Sequence, residues 1–227
     1  MSAVPASSAD SLLEPGSFPV SASNTLADLL HELGDVPLAR IRRNPYPGTA
    51  TVKDVERIQA EEKRYFELVD GVLVEKAMGY RESVLAMVFI WHFQNYSRSH
   101  RRGMIAGPDG LLQLIPKLVR GPDASFTFRD SVEGGKVPTA PVPLLVPDVV
   151  VEVMSPSNTR REMERKLGEY LSAGVRLIWY VYPEERVVDI YAASPTPRRL
   201  TAADTLDGGD VLPGFTLKLA ELFAEVD

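Results

Sequence analysis

An acidic residue interrupts one of the most apolar stretches of the chain. The segment from Leu144 to Met154 is almost wholly apolar and rich in β-branched residues, which is typical of a strand covered on both faces. Glu152 nevertheless lies in its second half. A buried glutamate is rare unless another group pairs with it, so Glu152 is the first candidate for a residue that does chemistry.

A lysine follows on the next predicted element, where it can reach this carboxylate. Residues 155–158 read Ser-Pro-Ser-Asn, which indicates a turn and the start of a helix. Met163, Leu167 and Tyr170 then follow the helical period. Lys166 lies one turn from both Met163 and Tyr170, so it borders the packed face of this helix. Its ammonium group can therefore reach back toward the end of the strand.

A second carboxylate, Asp123, follows a proline inside an otherwise extended segment. Proline there indicates a sheet edge or a bulge, although a Gly-Pro-Asp turn also explains this residue. Carboxylates at neighbouring strand ends, about 4.8 Å apart, can share one hard cation such as Mg²⁺ or Mn²⁺. Such an ion polarises a phosphodiester oxygen and activates water, while Lys166 neutralises the developing charge. The alternative is a buried ion pair of Glu152 and Lys166, which needs no metal.

Three more carboxylates lie in or beside predicted strands, and two of them, Glu67 and Asp148, are possible supporting residues. Residues 65–75 form two alternating strands joined by an Asp-Gly turn, which predicts a β-hairpin. Solvent-facing positions of this hairpin explain Glu67 and Glu75, with a catalytic role as the alternative for Glu67. Asp148 precedes Glu152 by four positions and is about 13 Å away at ~3.3 Å per residue, so we expect it to start the strand.

The chain divides into three parts by composition. Residues 1–24 are rich in Ser, Ala and Pro and are predicted to be a disordered leader. Residues 25–50 contain a short amphipathic helix followed by a basic, proline-rich loop. We expect this extension to pack on the domain edge, with a DNA clamp as the alternative. Residues 51–227 are predicted to form one α/β domain.

Composition excludes several classes of protein and site. No apolar run approaches the roughly 20 residues of a membrane span, so no membrane association is predicted. The chain has no cysteine, which excludes disulfides and thiolate metal sites and makes a cytoplasmic location the default. A net charge of -6 argues against a nonspecific nucleic-acid coat protein. It does not exclude a nuclease, because a local basic groove is enough.

Several separate motifs, in this order, resemble the Uma-two family of restriction endonuclease-like proteins, within the PD-(D/E)XK nuclease superfamily. They are RYFELVDGVLVEK, GPDASF, PDVVVEVMSPSN, KLGEYLSAGVRLIWYVYP and LPGF. The resemblance covers about Thr51 to Phe223. It implies an α/β fold, a restriction-endonuclease-like mixed sheet flanked by helices, with the acidic residues on its central hairpin.

The resemblance also implies roles for individual residues. Asp123 falls on the first Asp of the superfamily motif, and Glu152 falls on its Asp/Glu position. The usual lysine position, two residues after the glutamate, is Met154 here, and Lys166 on the following helix takes its place. Glu82, near the start of a long predicted helix, matches the extra helix carboxylate of some branches of the superfamily.

Together these patterns predict an endonuclease that hydrolyses DNA with Mg²⁺ or Mn²⁺, with Asp123 and Glu152 as metal ligands. Arg160, Arg161 and Arg165 on the helix of Lys166 would approach the duplex, although glutamates on the same helix fit a solvated charged face equally well. A homodimer fits this reading, because two sites related by a two-fold axis can cut both strands. The alternatives are a noncatalytic module that binds DNA or protein, and a phosphodiesterase acting on RNA or nucleotides.

Overall fold

The computed structural model describes residues 25–76, 79–100 and 102–227. The leader predicted for residues 1–24 lies outside the described residues. The helices are α1 (Leu26–Glu32), α2 (Val52–Glu62), α3 (Tyr80–Ser99), α4 (Arg160–Ala173) and α5 (Leu219–Ala224). Short 3-10 turns lie at Leu38–Arg40, Arg129–Ser131 and Glu133–Gly135. None of the helices in these ranges has the length and apolar character needed to span a membrane.

Most of the strands belong to two sheets. The strands are β1 (Phe66–Val69), β2 (Val72–Glu75), β3 (Gly103–Ala106), β4 (Leu112–Ile115), β5 (Leu118–Arg120), β6 (Ala124–Phe128), β7 (Val149–Val153), β8 (Leu177–Tyr182), β9 (Val187–Tyr191), β10 (Arg198–Thr201), β11 (Thr205–Gly208) and β12 (Leu212–Lys218). The larger sheet has the order β10-β9-β8-β7-β6-β3, and the smaller has the order β2-β1-β5-β4. Strands β11 and β12 pair separately.

The larger sheet is mixed and covered on both faces, as the apolar run of the central strand predicts. Strand β7 is parallel to β8 and antiparallel to β6. Helix α3 packs Phe89 and Phe93 against Trp179 on one face. Helix α4 packs Met163 and Tyr170 in the cluster on the other face. The predicted α/β class, with a mixed sheet flanked by helices, is therefore confirmed.

The unit β7–α4–β8 is the crossover that a parallel strand pair requires. The Thr159 side chain accepts a hydrogen bond from Glu162 N and caps the start of α4. Gly174 ends α4 at a φ of 96°, a conformation that glycine adopts without steric cost. These two signals set the ends of α4 within a short distance of β7 in the chain. The helix therefore packs directly over the end of that strand.

The region before β7 is divided between the two sheets. Residues 103–128 form four strands, β3 to β6. Turns at 107–110 and 116–117 and the Gly-Pro pair at 121–122 separate these strands. As a result, β4 and β5 join the hairpin β1–β2, whereas β3 and β6 join the larger sheet. The closing helix α5 starts directly after β12, which ends at Lys218.

The extension of residues 25–50 packs against the β1–β2 hairpin. Leu33 and Val36 are buried in one cluster with Val69, Val72 and Val74. Beyond α1, Arg42 N donates a hydrogen bond to Leu73 O at 2.9 Å. These contacts make the extension a packed edge of the fold, and they place it beside α4.

Candidate active site

Glu152 lies in β7 with its side chain buried under α4. Its neighbour in the parallel pair is Tyr180 of β8. The Tyr170 hydroxyl donates a hydrogen bond to Glu152 Oε1 at 2.6 Å. Lys166 Nζ lies 3.4 Å from the same oxygen. The structure therefore brings Glu152 and Lys166 together. Lys166 and Tyr170 contact the same carboxylate oxygen because they lie one turn apart on one face of α4.

Asp123 is fixed beside Glu152 by the pairing of β6 with β7. Ala124 pairs with Val151 in this antiparallel ladder, so one further step of the register places Asp123 opposite Glu152. Asp123 N donates to Val151 O at 3.0 Å, and Val153 N donates to Asp123 Oδ2 at 2.8 Å. Asp123 is thus bonded to both neighbours of Glu152. The two carboxylates lie side by side at one end of β7.

Lys76 completes this group and was not singled out by the sequence pattern. Its ammonium nitrogen lies 3.0 Å from Asp123 Oδ1 and donates to Pro108 O at 3.2 Å. The lysine side chain is 6% exposed, so this is a buried ion pair. The signal was present as the final lysine of the motif RYFELVDGVLVEK. Nothing in that local pattern shows that it meets a residue so far along the chain.

The prediction that Glu67 faces solvent is wrong. Glu67 is fully buried, with a relative exposure of 0%. Its Oε1 lies 3.1 Å from Lys166 Nζ and accepts a hydrogen bond from Gly121 N at 3.2 Å. Its Oε2 lies 2.6 Å from Arg120 Nη1. Strand β1 lies between β2 and β5 in the smaller sheet. The face of this sheet that carries Glu67 packs against α4, and this packing buries the carboxylate.

Arg120 connects this sheet to the helix of the site. Its Nε donates to Glu169 Oε2 on α4 at 2.7 Å, in addition to the contact with Glu67. Glu75, the other hairpin glutamate, instead pairs with Arg64 at 2.6 Å near the surface. Only Glu67 of the two therefore belongs to the buried group around Lys166.

The surroundings shift the pKa values of three site residues in different ways. Burial, reinforced by the nearby Asp123 and Glu67 carboxylates, raises the pKa of Glu152 above its usual value. Burial also acts to raise the pKa of Glu67, but Lys166 and Arg120 outweigh it and lower that pKa. For Lys166, burial acts to lower the pKa, but the carboxylates of Glu152 and Glu67 outweigh it and raise it. Lys166 is therefore a cation across the physiological pH range.

The structure does not join Glu82 or Asp148 to this group by an ion pair or hydrogen bond. Glu82 lies in the first turn of α3 with its carboxylate against the backbone of Gly79. Asp148 lies at the opposite end of β7, where it accepts a hydrogen bond from Phe128 N at 2.8 Å. It also pairs with Arg176 at 3.2 Å. Asp148 thus fastens the start of the strand, as its sequence position predicts.

The three arginines of α4 have different environments. Arg165 pairs with Asp70 and with Glu169, and it also donates to Glu32 O. Arg161 lies 3.4 Å from Asp35 of the extension. Arg160 has a side chain that is 91% exposed, with a single ion pair to Glu164 one turn away. Arg161 and Arg165 therefore tie the extension and the hairpin to α4, and Arg160 projects into solvent.

The donor set of the site suits a hard divalent cation. Across the ranges that the structure describes, no cluster of three or more His, Cys, Asp or Glu residues is arranged to hold a metal ion. Asp123 and Glu152 form a pair of carboxylates instead. Mg²⁺ is commonly held in enzymes by one or two carboxylates, with water and substrate phosphates completing its octahedral shell. Asp123 and Glu152 are therefore the residues that could hold such an ion.

A solved structure shares this fold. The chain resembles a crystal structure described as "a putative nuclease belonging to DUF820" from Anabaena variabilis ATCC 29413, with a TM-score of 0.63. The match covers 72% of this chain and 92% of the other, at 17% sequence identity. At that identity the similarity establishes the fold and leaves the chemistry to be argued from the site.

The family comparison covers the same region as the site. No functionally curated protein matches the chain significantly. Residues 52–220, which are well over half of the chain, match the sequence model of the Uma2 family, described as "Putative restriction endonuclease". This range includes Lys76, Asp123, Glu152 and Lys166. The resemblance found in the sequence motifs is therefore confirmed, and the chain belongs to the Uma2 family.

Proposed function

We propose that this protein is an endonuclease that hydrolyses DNA phosphodiester bonds with the help of Mg²⁺ or Mn²⁺. The observation that carries the proposal is the side-by-side position of Asp123 and Glu152, with the Lys166 ammonium group on Glu152. Membership of a restriction-endonuclease-type family and a nuclease-fold neighbour support the same reaction class. DNA is the substrate that the family description favours.

Asp123 and Glu152 would hold the cation. A bound divalent ion supplies Lewis-acid polarisation of a phosphodiester oxygen and a lowered pKa for water. Tyr170 holds Glu152 Oε1 through its hydroxyl, which fixes the rotamer of this carboxylate. Val153 N holds Asp123 Oδ2 in the same way. Both carboxylates are therefore positioned by the fold before any ligand binds, which lowers the cost of organising the site.

Lys166 supplies a fixed positive charge next to the reacting group. Glu67 and Glu152 contact its ammonium nitrogen at 3.1 and 3.4 Å and hold it between them. A buried cation that is already oriented stabilises negative charge that develops on the phosphoryl oxygens during hydrolysis. Glu67 acts through Lys166, so we assign it a positioning role. Arg120 balances the second oxygen of Glu67 and joins it to α4.

Lys76 is the residue that a divalent ion would have to displace from Asp123. Its ammonium group contacts Asp123 Oδ1, one of the oxygens available to a metal. Two cations at one carboxylate repel each other, and the repulsion is strong in a buried site. Lys76→Met should therefore tighten Mg²⁺ binding, by several-fold up to about tenfold, or about 1.4 kcal/mol. The matched control is Lys53→Met, which removes an exposed lysine of α2.

The test is calorimetric titration of Mg²⁺ and Mn²⁺ into the wild type and into Glu152→Gln, Lys76→Met and Lys53→Met. Each protein is then incubated with supercoiled plasmid, single-stranded DNA and RNA in the presence of the same ion. We expect Glu152→Gln to lose both metal binding and plasmid nicking. We expect Lys53→Met to behave as the wild type.

A folded wild-type protein that binds neither ion and cuts no substrate would overturn the proposal. Glu152 and Lys166 would then be a structural ion pair in a noncatalytic module that binds DNA or protein. Cleavage restricted to RNA would keep the site and replace the substrate. These outcomes are distinguishable because metal binding and cleavage are measured separately on each variant.

A further inference from the structure

Helix α3 has an exposed face with the spacing of a helix-packing seam. The residues that form it alternate by four and three positions along the helix, which is the heptad pattern of facing helices. They are Tyr80, Val84, Met87, Trp91, Gln94 and Arg98. Tyr80 is 89% exposed, Met87 57% and Trp91 61%. Large apolar groups of this exposure in one stripe mark an interaction surface.

Within residues 25–76, 79–100 and 102–227, the core does not account for this stripe. The opposite face of α3 carries Leu85, Phe89 and Phe93, which are fully buried against the larger sheet. The helix is therefore already packed on one side through its aromatic residues. The stripe lies on the other side, so a second surface is needed to cover it.

The stripe is complementary to itself when the helix is reversed. An antiparallel partner helix centred on position 89 pairs position 80 with 98, 84 with 94, and 87 with 91. A two-fold interface requires this relation, in which residue i meets residue j and j meets i. Met87 then meets the partner's Trp91, a favourable sulfur–aromatic contact. Arg98 meets the face of the partner's Tyr80, which suits a cation–π interaction.

A groove between α3 and α5 lies along the same face. It has a volume of about 560 Å³ and is lined by Val84, Met87 and Trp91 on the side of α3. On the side of α5 it is bordered by Glu221 and Glu225. Glu221 lies close enough to act on the charge of His92, and Asp227 lies close enough to act on that of Arg81. Glu225 is therefore at the end of the groove nearer Tyr80, which the partner's Arg98 reaches in the antiparallel arrangement. The charges at the two ends of the seam are therefore complementary as well.

We propose that a second copy of this chain binds here, through an antiparallel two-fold packing of α3 against α3. The interface would have Met87 and Trp91 at its centre, and Tyr80 and Arg98 at its two ends. The other half of the interface is the same face of α3 in the second copy, because the same six positions pair with one another across the two-fold axis. The inference rests on α3 and is independent of whether the buried carboxylates bind metal.

The first test measures the molar mass in solution of the wild type and of two variants, by light scattering after size-exclusion chromatography over a concentration series. The two substituted residues have the same exposed fraction. Met87→Glu places a charge at the centre of the seam and should give a monomer. Leu38→Glu alters a residue that is also 57% exposed but lies in the extension, and should remain a dimer. A wild type that is monomeric throughout, or a Met87→Glu dimer as stable as that of Leu38→Glu, would overturn the proposal. Circular dichroism checks that both variants are folded.

The second test determines the direction of the pair, and it is clean because the chain has no native cysteine. Tyr80→Cys and Arg98→Cys are prepared separately and joined by a short bismaleimide. A mixture of the two variants should cross-link. Tyr80→Cys alone should not, because 18 residues of helix, about 27 Å, separate the two cysteines in an antiparallel pair. Cross-linking of Tyr80→Cys with itself would show a parallel pair and would contradict the assigned geometry.

Discussion

Two glutamates contact the ammonium group of Lys166, yet their other neighbours differ. Glu67 also binds Arg120 and Gly121 N, so each of its oxygens has a partner. Glu152 has Lys166 and Tyr170 on one oxygen and lies near the Asp123 carboxylate. The pKa of Glu67 is consequently lowered, whereas burial raises the pKa of Glu152. The charge on Glu67 stabilises the fold, and the charge on Glu152 opposes it.

Glu67→Gln and Glu152→Gln should therefore affect stability differently at neutral pH without metal. Glu67→Gln leaves a buried arginine and lysine short of one charge and should lower the free energy of unfolding by about 3–5 kcal/mol. Glu152→Gln should leave it within about 1 kcal/mol of the wild type or raise it. Urea denaturation in the presence of a chelator measures both. An equal loss in the two variants would contradict the contrast and would support a purely structural ion pair at Glu152.

The pH dependence of the same two variants has opposite signs. A folded-state pKa that is lowered gives stability above the unfolded-state pKa of about 4.3, and this stability is lost as the pH falls. The difference between the wild type and Glu67→Gln should therefore shrink in acid. A raised pKa gives stability that is present below about 4.3 and is lost as the pH rises through the folded-state pKa. Over that rise in pH, the free energy of unfolding of Glu152→Gln should increase relative to that of the wild type.

Helix α4 carries Lys166 and Tyr170 of the site and is held in place by elements far away in the chain. Arg40 binds Glu162 through two parallel bonds, Nη1 to Oε2 at 2.9 Å and Nη2 to Oε1 at 2.8 Å. The extension approaches the helix so closely at Gly34 that a Cβ atom there would lie 2.6 Å from the Glu162 backbone. Gly34 also has a φ of 87°, which other residues rarely adopt. The extension therefore acts as a strap over the first turn of α4.

Replacing one partner of the Arg40–Glu162 pair should lower the free energy of unfolding more than replacing both partners. Both side chains are largely buried, so Arg40→Met should cost about 3–5 kcal/mol by leaving the Glu162 carboxylate uncompensated. The double variant Arg40→Met, Glu162→Met should lie closer to the wild type, because two apolar chains replace two charges. A double-mutant cycle by urea denaturation measures the coupling. A cost below about 1 kcal/mol for Arg40→Met would show that the strap does not stabilise α4.

The whole molecule has a net charge of -6, so the proposed DNA binding would depend on local cations. On α4, Arg161 and Arg165 are engaged with acidic groups of the extension and hairpin. Arg160 points into solvent with one exposed ion pair. The three arginines predicted as a DNA track are therefore not equivalent. Two of them hold the fold together, and one is free to approach a phosphate.

Arg160→Ala and Arg165→Ala should separate these two tasks. Arg160→Ala should weaken duplex binding uniformly across sequences and reduce the slope of log affinity against log salt by about 0.9, the loss of one phosphate contact. It should leave thermal stability unchanged. Arg165→Ala should instead lower the free energy of unfolding, by about 1–3 kcal/mol, because Asp70 loses its partner and Glu169 keeps only Arg120. An unchanged salt slope in Arg160→Ala would exclude this residue from the DNA surface.

The local sequence determined the elements that carry the candidate site. An apolar run with β-branched residues predicted β7, and helical spacing with a cap and a glycine predicted α4, because both signals depend on neighbours in the chain. The proximity of Glu152, Lys166 and Asp123 followed from strand–helix connection and strand pairing. The family motifs added the expected order of these residues, and the matched range 52–220 confirmed the family.

Only the tertiary structure decided what surrounds those residues. Glu67 reads as a solvent-facing hairpin residue, yet the pairing of β1 with β5 and the packing of α4 bury it completely. Lys76 meets Asp123, and Arg40 meets Glu162, across 122 positions of chain in the second case. Periodicity shows which face of an element is apolar, but it does not show which distant element covers that face. Pairing of buried charges depends on that choice, so it is fixed by packing between segments that no local pattern connects.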